Sequence, residues 1–147
     1  MHILSVNNSL GCIEPSGIPS ISHNHWVTSS LVTKLNNQAD TIFISGCMDG
    51  NIYIADSNGI KIGILEGHKK GIISLGLAPG NKLLSGSWDG TARVWNLETH
   101  SCEGEFGPHE NGVHVLYIDE GIFATIRCNA FILIITIIYL FFHGFNI

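Results

Sequence analysis

Three side chains able to run nucleophilic catalysis together lie between positions 68 and 89: His68, a serine at 85 or 87, and Asp89. An imidazole held by a carboxylate can take a serine proton and turn the hydroxyl into a nucleophile. Their spacing points elsewhere. The run Ile44-Ser45-Gly46-Cys47-Met48-Asp49-Gly50 reappears 40 residues later as Leu84-Ser85-Gly86-Ser87-Trp88-Asp89-Gly90, and His68 is followed 41 residues on by His109. A catalytic set is needed once, whereas groups that recur at a fixed period belong to a scaffold. No enzyme activity is expected.

Metal chemistry finds no better footing. His23 and His25 form an isolated His-x-His pair, and His2, His100, His114 and His143 show no ligand spacing. Cys12, Cys47, Cys102 and Cys128 contain no CxxC and no regular framework. They read as reduced, small apolar residues of a cytoplasmic or nuclear protein. No metal and no cofactor are expected.

The elements that carry these residues are short strands. Thr41–Ser45, Asn51–Ala55 and Lys61–Leu65 are rich in Ile, Tyr and Phe, with Asp49-Gly50 and Ser57-Asn58-Gly59 between them. Such residues tolerate the positive φ of tight hairpins. A second period gives Gly71–Leu77, Lys82–Ser87 and Thr91–Trp95, and a third gives Val113–Tyr117 and Gly121–Thr125. No stretch before residue 126 shows a 3.6-residue apolar period. Four short strands per period of about 40 residues is the propeller signature.

From Gly67-His68, through Leu84-Ser85-Gly86-Ser87-Trp88-Asp89-Gly90, to Arg93-Val94-Trp95-Asn96, the chain resembles a complete WD-repeat; Asn96 replaces the final Asp. The resemblance implies one buried network of His68, Ser85 or Ser87, Asp89 and the Trp95 indole. Elementary chemistry agrees, because imidazole can donate to a carboxylate while accepting from a hydroxyl, and a buried indole N–H needs an acceptor. In the first repeat Ala55 stands where the aromatic belongs, and His23 and His25 compete for the histidine position. The third repeat departs at Ile126, where a glycine should follow Thr125.

Within the WD-repeat proteins, the polar insertion Leu35–Asp40, the Leu65-Glu66-Gly67-His68 run and Leu83–Asp89 are similar to the N-terminal propeller of the phospholipase A2-activating protein family. That resemblance implies a ubiquitin-binding adaptor in ubiquitin-dependent degradation and recycling. It also implies an AAA ATPase segregase as partner, through further domains that this sequence lacks. Met48 and Trp88, each just before the turn Asp, and Lys70, just after the His, are the expected partner contacts on the face formed by those loops. A Trp presented in a tight turn is a frequent interface anchor.

Composition bounds the rest. The 147 residues carry a net charge of -5 and only 13% charged side chains, which excludes a phosphate-contacting nucleic-acid surface. All acidic residues lie at or before Glu120, and from Ile126 onward the only charge is Arg127. The chain therefore reads as a lead-in at 1–24, a WD-repeat region at 25–125 and an apolar tail at 126–147. The fold class expected is all-β, a propeller fragment of two to three blades that cannot close a ring of about 4–8. Ala130–Phe142 is broken only by Thr136. At ~1.5 Å per residue it falls short of a ~30 Å hydrocarbon core, a marginal membrane anchor at best. Its wealth of Ile, Phe, Leu, Asn and Tyr, all with AT-rich codons, reads instead as a translated intron or frameshift.

Overall fold

The computed structural model describes residues 21–35, 40–119, 122–128 and 133–139. Eleven strands form three antiparallel sheets among them. Sheet I holds β1 (Val27–Lys34), β2 (Thr41–Cys47), β3 (Ile52–Ala55) and β4 (Lys61–Leu65) in sequence order. Sheet II repeats this with β5 (Ile72–Ala78), β6 (Lys82–Ser87), β7 (Ala92–Asn96) and β8 (Ser101–Phe106). Sheet III is β9 (Val113–Asp119), β10 (Ile122–Cys128) and β11 (Leu133–Tyr139), ordered β11-β10-β9.

The hairpins follow from the turn residues. Gly50 N–H donates to Cys47 O at 3.1 Å and Gly90 N–H to Ser87 O at 3.2 Å, closing equivalent four-residue turns. Both glycines have positive φ, +90° and +83°, a region that costs a side-chain-bearing residue strain. Each turn hands the chain from the second to the third strand of its sheet.

The sheets stand side by side, with β5 against both β1 and β9. One core lies between sheets I and II, where Ile42, Ile44, Ile52, Ile54 and Leu65 meet Ile72, Leu83, Trp95 and Leu97. A second lies between sheets II and III, built from Leu84, Ala92, Val94, Val113 and Val115. This is the blade arrangement of a β-propeller. Alternation of side chains explains how one strand serves two junctions: Leu83 and Ser85 of β6 face sheet I, while Leu84 and Gly86 face sheet III.

The glycine of each Ser-Gly pair is where the next sheet comes closest. A methyl at Gly46 would lie 2.6 Å from Ile72 Cγ2, and one at Gly86 would overlap the Val113 carbonyl. The equivalent position in sheet III holds Ile126, which is half-buried.

Several boundaries differ from the sequence expectations. β1 is the strand before the polar insertion, which the resemblance implies without bounds, because its run Val-Thr-Ser-Ser-Leu-Val-Thr-Lys buries one face only partly. β8 is an outer strand with mostly exposed positions, so it lacks an apolar signature. The expected region boundary at 125/126 falls inside β10, which pairs with β9 through Arg127 and with β11 through Cys128. The expected tail thus supplies β11, antiparallel to β10 with Ile122 opposite Tyr139. The expected lead-in, residues 1–24, lies outside the described residues up to position 20, but Ile21 is buried and His23 enters sheet I. Among the described residues no helix is long and apolar enough to cross a membrane.

Candidate functional site

The best-defined polar constellation lies at the end of sheet II where β4 passes to β5. His68 sits in that connection, Ser85 on β6, Asp89 in the β6–β7 turn and Trp95 on β7. Trp95 Nε1 donates to Ser85 Oγ at 2.8 Å. His68 Nε2 lies 2.8 Å from Ser85 Oγ, and His68 Nδ1 lies 2.9 Å from Asp89 Oδ2. Thr91 Oγ1 donates to Asp89 Oδ1 at 2.6 Å, and the Lys69 and Thr91 N–H groups donate to the same carboxylate at 2.8 Å each.

Donor chemistry fixes the direction of the chain. Indole N–H can only donate and an ionised carboxylate can only accept. Ser85 must therefore accept from Trp95 and donate to His68 Nε2, leaving Nδ1–H to donate to Asp89. Every member is satisfied when His68 is neutral. Burial pushes the His68 pKa below its ordinary value, outweighing the neighbouring Asp89 carboxylate, which pulls it up. Partial burial pushes Asp89 up, but hydrogen bonds from Thr91, the Lys69 amide and His68 prevail and hold it at about 2. The His68–Asp89 contact is accordingly a hydrogen bond from a neutral imidazole to a carboxylate.

The two candidate serines separate. Ser85 joins the network. Ser87 instead donates to the Lys70 and Gly71 carbonyls, at 2.9 and 3.0 Å, and accepts from the Asp89 N–H at 3.1 Å. It ties the β4–β5 connection to the turn. Thr91 was missed by sequence reading, although a hydroxyl two residues after a turn Asp is a legible signal.

As a catalytic set the group is inaccessible. Ser85 is fully buried, the His68 side chain has no exposed surface, and Trp95 occupies the other side of the hydroxyl. Arg93 covers the outside, with its guanidinium 5.7 Å from the Trp95 ring centre and Glu105 as its ion-pair partner. Gly67 has φ +156°, a region disfavoured for other residues, and a side chain there would have to displace that guanidinium. The same four groups satisfy one another and position a turn.

Sheet I carries a variant. His23, rather than His25, takes the histidine role, with Nε2 3.0 Å from Ser45 Oγ. Ala55 supplies no indole, and Tyr53 on the same face donates its hydroxyl to Asp49 Oδ2 at 2.6 Å. The His23 and Tyr53 rings lie 4.9 Å apart. Among the described residues no group of His, Cys, Asp and Glu is placed to hold a metal ion, and Cys47 and Cys102 are free thiols.

The turns held by these networks project the expected contact residues. Trp88 is 54% exposed and Met48 is half-buried, and the two occupy equivalent turn positions. Lys70 is exposed in the connection between them, its carbonyl beside Gly50 and hydrogen-bonded to Ser87. Trp26, which the sequence did not single out, is 67% exposed on the same rim, and its carbonyl accepts from Met48 N–H at 2.9 Å.

Comparison with known proteins accords with this geometry. Residues 59–96 match the family described as WD domain, G-beta repeat. The match takes in β4 of sheet I and β5 to β7 of sheet II, so one sequence repeat straddles two blades. NET1-associated nuclear protein 1 of Saccharomyces cerevisiae is 34% identical over 113 residues, covering 74% of this chain and 12% of the relative. The probable E3 ubiquitin ligase complex SCF subunit scon-2 of Neurospora crassa is 43% identical over 42 residues, covering 29% of this chain and 6% of the relative. The chain thus spans only a small part of these relatives' length. The crystal structure of the computationally designed Ika8 protein superimposes with a TM-score of 0.60 at 25% identity, covering 70% of this chain and 30% of that one. Residues 59–96 are thus a WD repeat, set among three sheets arranged as propeller blades and carrying a buried chain of Trp95, Ser85, His68 and Asp89 at the blade junction.

Proposed function

We propose that this chain is a non-enzymatic protein-interaction scaffold whose rim of Trp88, Met48 and Lys70 contacts ubiquitin, as an adaptor in ubiquitin-dependent protein degradation. The observation that carries the reading is Trp88. It is a large apolar side chain left more than half exposed in a turn that a buried network holds still. A preorganised aromatic anchor loses little freedom on binding. The ubiquitin assignment rests on the resemblance of Leu35–Asp40 and Leu83–Asp89 to the phospholipase A2-activating protein family. A further support is that one relative is named as a subunit of an E3 ubiquitin ligase complex. The AAA ATPase segregase enters only through domains outside this sequence.

Calorimetric titration of the chain with ubiquitin tests the assignment. Saturable binding that Trp88→Ala and Lys70→Ala each weaken roughly tenfold is the expected result, an anchor's share by common alanine-scan magnitudes. Absence of binding at high micromolar ubiquitin removes ubiquitin as the partner.

A further inference from the structure

Sheets I and II each carry a fourth, outer strand, β4 beside β3 and β8 beside β7. In sheet III the outermost of the described strands is β11, paired with β10 alone. β11 corresponds to β3 and β7, whose outer backbone N–H and C=O groups pair with a neighbour. A row of such groups is a template for a further strand. The fold's own repeat says which kind: antiparallel and of similar length.

The three outermost strands differ in how they treat this hazard. β4 has five residues, begins with the exposed Lys61 and pairs through a register shift. β8 carries the exposed Glu103 and Glu105 and also pairs through a register shift. Charges and bulges are the devices by which an edge avoids adding a strand. β11, Leu-Ile-Ile-Thr-Ile-Ile-Tyr, has no charge, proline or glycine. Its seven residues pair with β10 in unbroken register, from Leu133 opposite Cys128 to Tyr139 opposite Ile122. Two antiparallel copies of β8 centred on Gly104 would set Glu103 opposite Glu105, whereas two copies of β11 bring no like charges together.

We propose that β11 is a self-association edge: the β11 strands of two copies pair antiparallel about a two-fold axis at Thr136, each serving as the other's fourth strand. That register sets Thr136 opposite Thr136 and Leu133 opposite Tyr139, so every residue of the strand is paired. An isologous contact of this kind satisfies both edges at once and stops at two copies. It is independent of the rim. Sheet II supplies the template for the central position. There Ser85 pairs with Arg93, and Arg93 with Glu105 of the outer strand, to which it is ion-paired. Thr125 pairs with Thr136 in the equivalent register, so Thr136 stands where Arg93 does.

The test is sedimentation equilibrium on the full chain at about 50 μM, above the micromolar dissociation constants of many small interfaces. The unmodified chain is expected at twice its monomer mass. Thr136→Arg and Thr136→Glu each set like charges on the axis and are expected to be monomeric. Their equimolar mixture is expected to restore the dimer, with Arg opposite Glu as in sheet II. Circular dichroism verifies the β signal of each variant. The unmodified chain gives a second readout: about half the β11 amides should lose hydrogen-exchange protection on roughly hundredfold dilution, as mass action separates the copies. A monomer at the higher concentration, a mass that climbs past two copies, or β11 protection indifferent to dilution overturns the proposal. So does a dimer that tolerates both single charges, or a mixture that stays monomeric.

Discussion

Trp88 covers Gly112, the residue that opens the inner strand of the next sheet. A methyl at Gly112 would lie 2.6 Å from Trp88 Cε3 and equally close to Ile73 Cδ1. Met48 stands in the same relation to Gly71, where a methyl would lie 2.7 Å from its sulfur. The residue before each turn Asp therefore rests on the following blade while its outer surface stays open. This joins the blade junction to the exposed rim of turns.

Gly112→Ala follows from this contact. The added methyl has packed atoms on two sides, and overpacking of that kind costs about 1–3 kcal/mol. Urea unfolding should show a lowered midpoint, and Trp88 should report a changed emission spectrum in the folded state. An unchanged spectrum would show that Trp88 is not seated on Gly112.

Ser85→Ala should be costly although it removes a single oxygen. It strands both the Trp95 N–H and the His68 Nε2 in a fully buried site. Each unsatisfied buried group costs roughly 1–3 kcal/mol. Trp95→Phe removes one donor and leaves Ser85 bonded to His68, but it also leaves a void in the core, so a cavity cost adds to the roughly 1 kcal/mol of the hydrogen bond. A loss below about 0.5 kcal/mol for Ser85→Ala in chemical denaturation would contradict the directional chain.

Stability should fall with acid in two stages. The folded-state pKa of His68 is lowered, so below about 6.5 the unfolded chain takes up a proton that the native imidazole refuses. His68 thus contributes fully above that pH, and its contribution declines as pH drops toward its native pKa. His23, also lowered by burial despite the upward pull of Asp49, adds to the same stage. Asp89 is held at about 2 against 3.8, so its contribution is present above pH 3.8 and is lost as pH falls toward 2. Thermal melts across pH 7 to 2 should show both stages, with His68→Gln flattening the upper and Asp89→Asn the lower. A pH-independent melting temperature between 7 and 5 would contradict a neutral, buried His68.

Gly86 and Gly104 give a contrast within one sheet. A methyl at Gly86 would overlap the Val113 carbonyl, which is backbone and cannot swing aside. Gly86→Ala should therefore destabilise by about 3 kcal/mol or more, through separation of sheets II and III. A methyl at Gly104 would meet only the Phe106 ring, at 3.3 Å, so Gly104→Ala should shift stability by no more than about 0.5–1 kcal/mol. Similar melting temperatures for the two variants would mean that the inter-sheet approach at Gly86 is looser than described.

The sequence by itself determined the period, the strand chemistry and the participation of His68, Asp89 and Trp95. Strand propensity, Asp-Gly turns and repeat spacing are local properties, written in consecutive residues. It left Ser85 and Ser87 unresolved, because both face the same side of β6 and only the third dimension separates them. Ser85 meets the imidazole and indole, while Ser87 meets two backbone carbonyls. The sequence also missed Tyr53, whose hydroxyl donates to the turn Asp49 from the strand position two residues before Ala55. Trp26 escaped and β1 stayed without bounds, because neither an exposed aromatic nor a Ser/Thr-rich inner strand has an apolar period.

Tertiary structure alone decided the roles of the glycines and the rim. Gly46 and Gly86 look like ordinary strand glycines until the next sheet arrives against them, and Met48, Lys70 and Trp88 are neighbours only because two turns and one connection converge at a blade junction. Contacts between residues some 40 positions apart are properties of packing, and no local pattern encodes them.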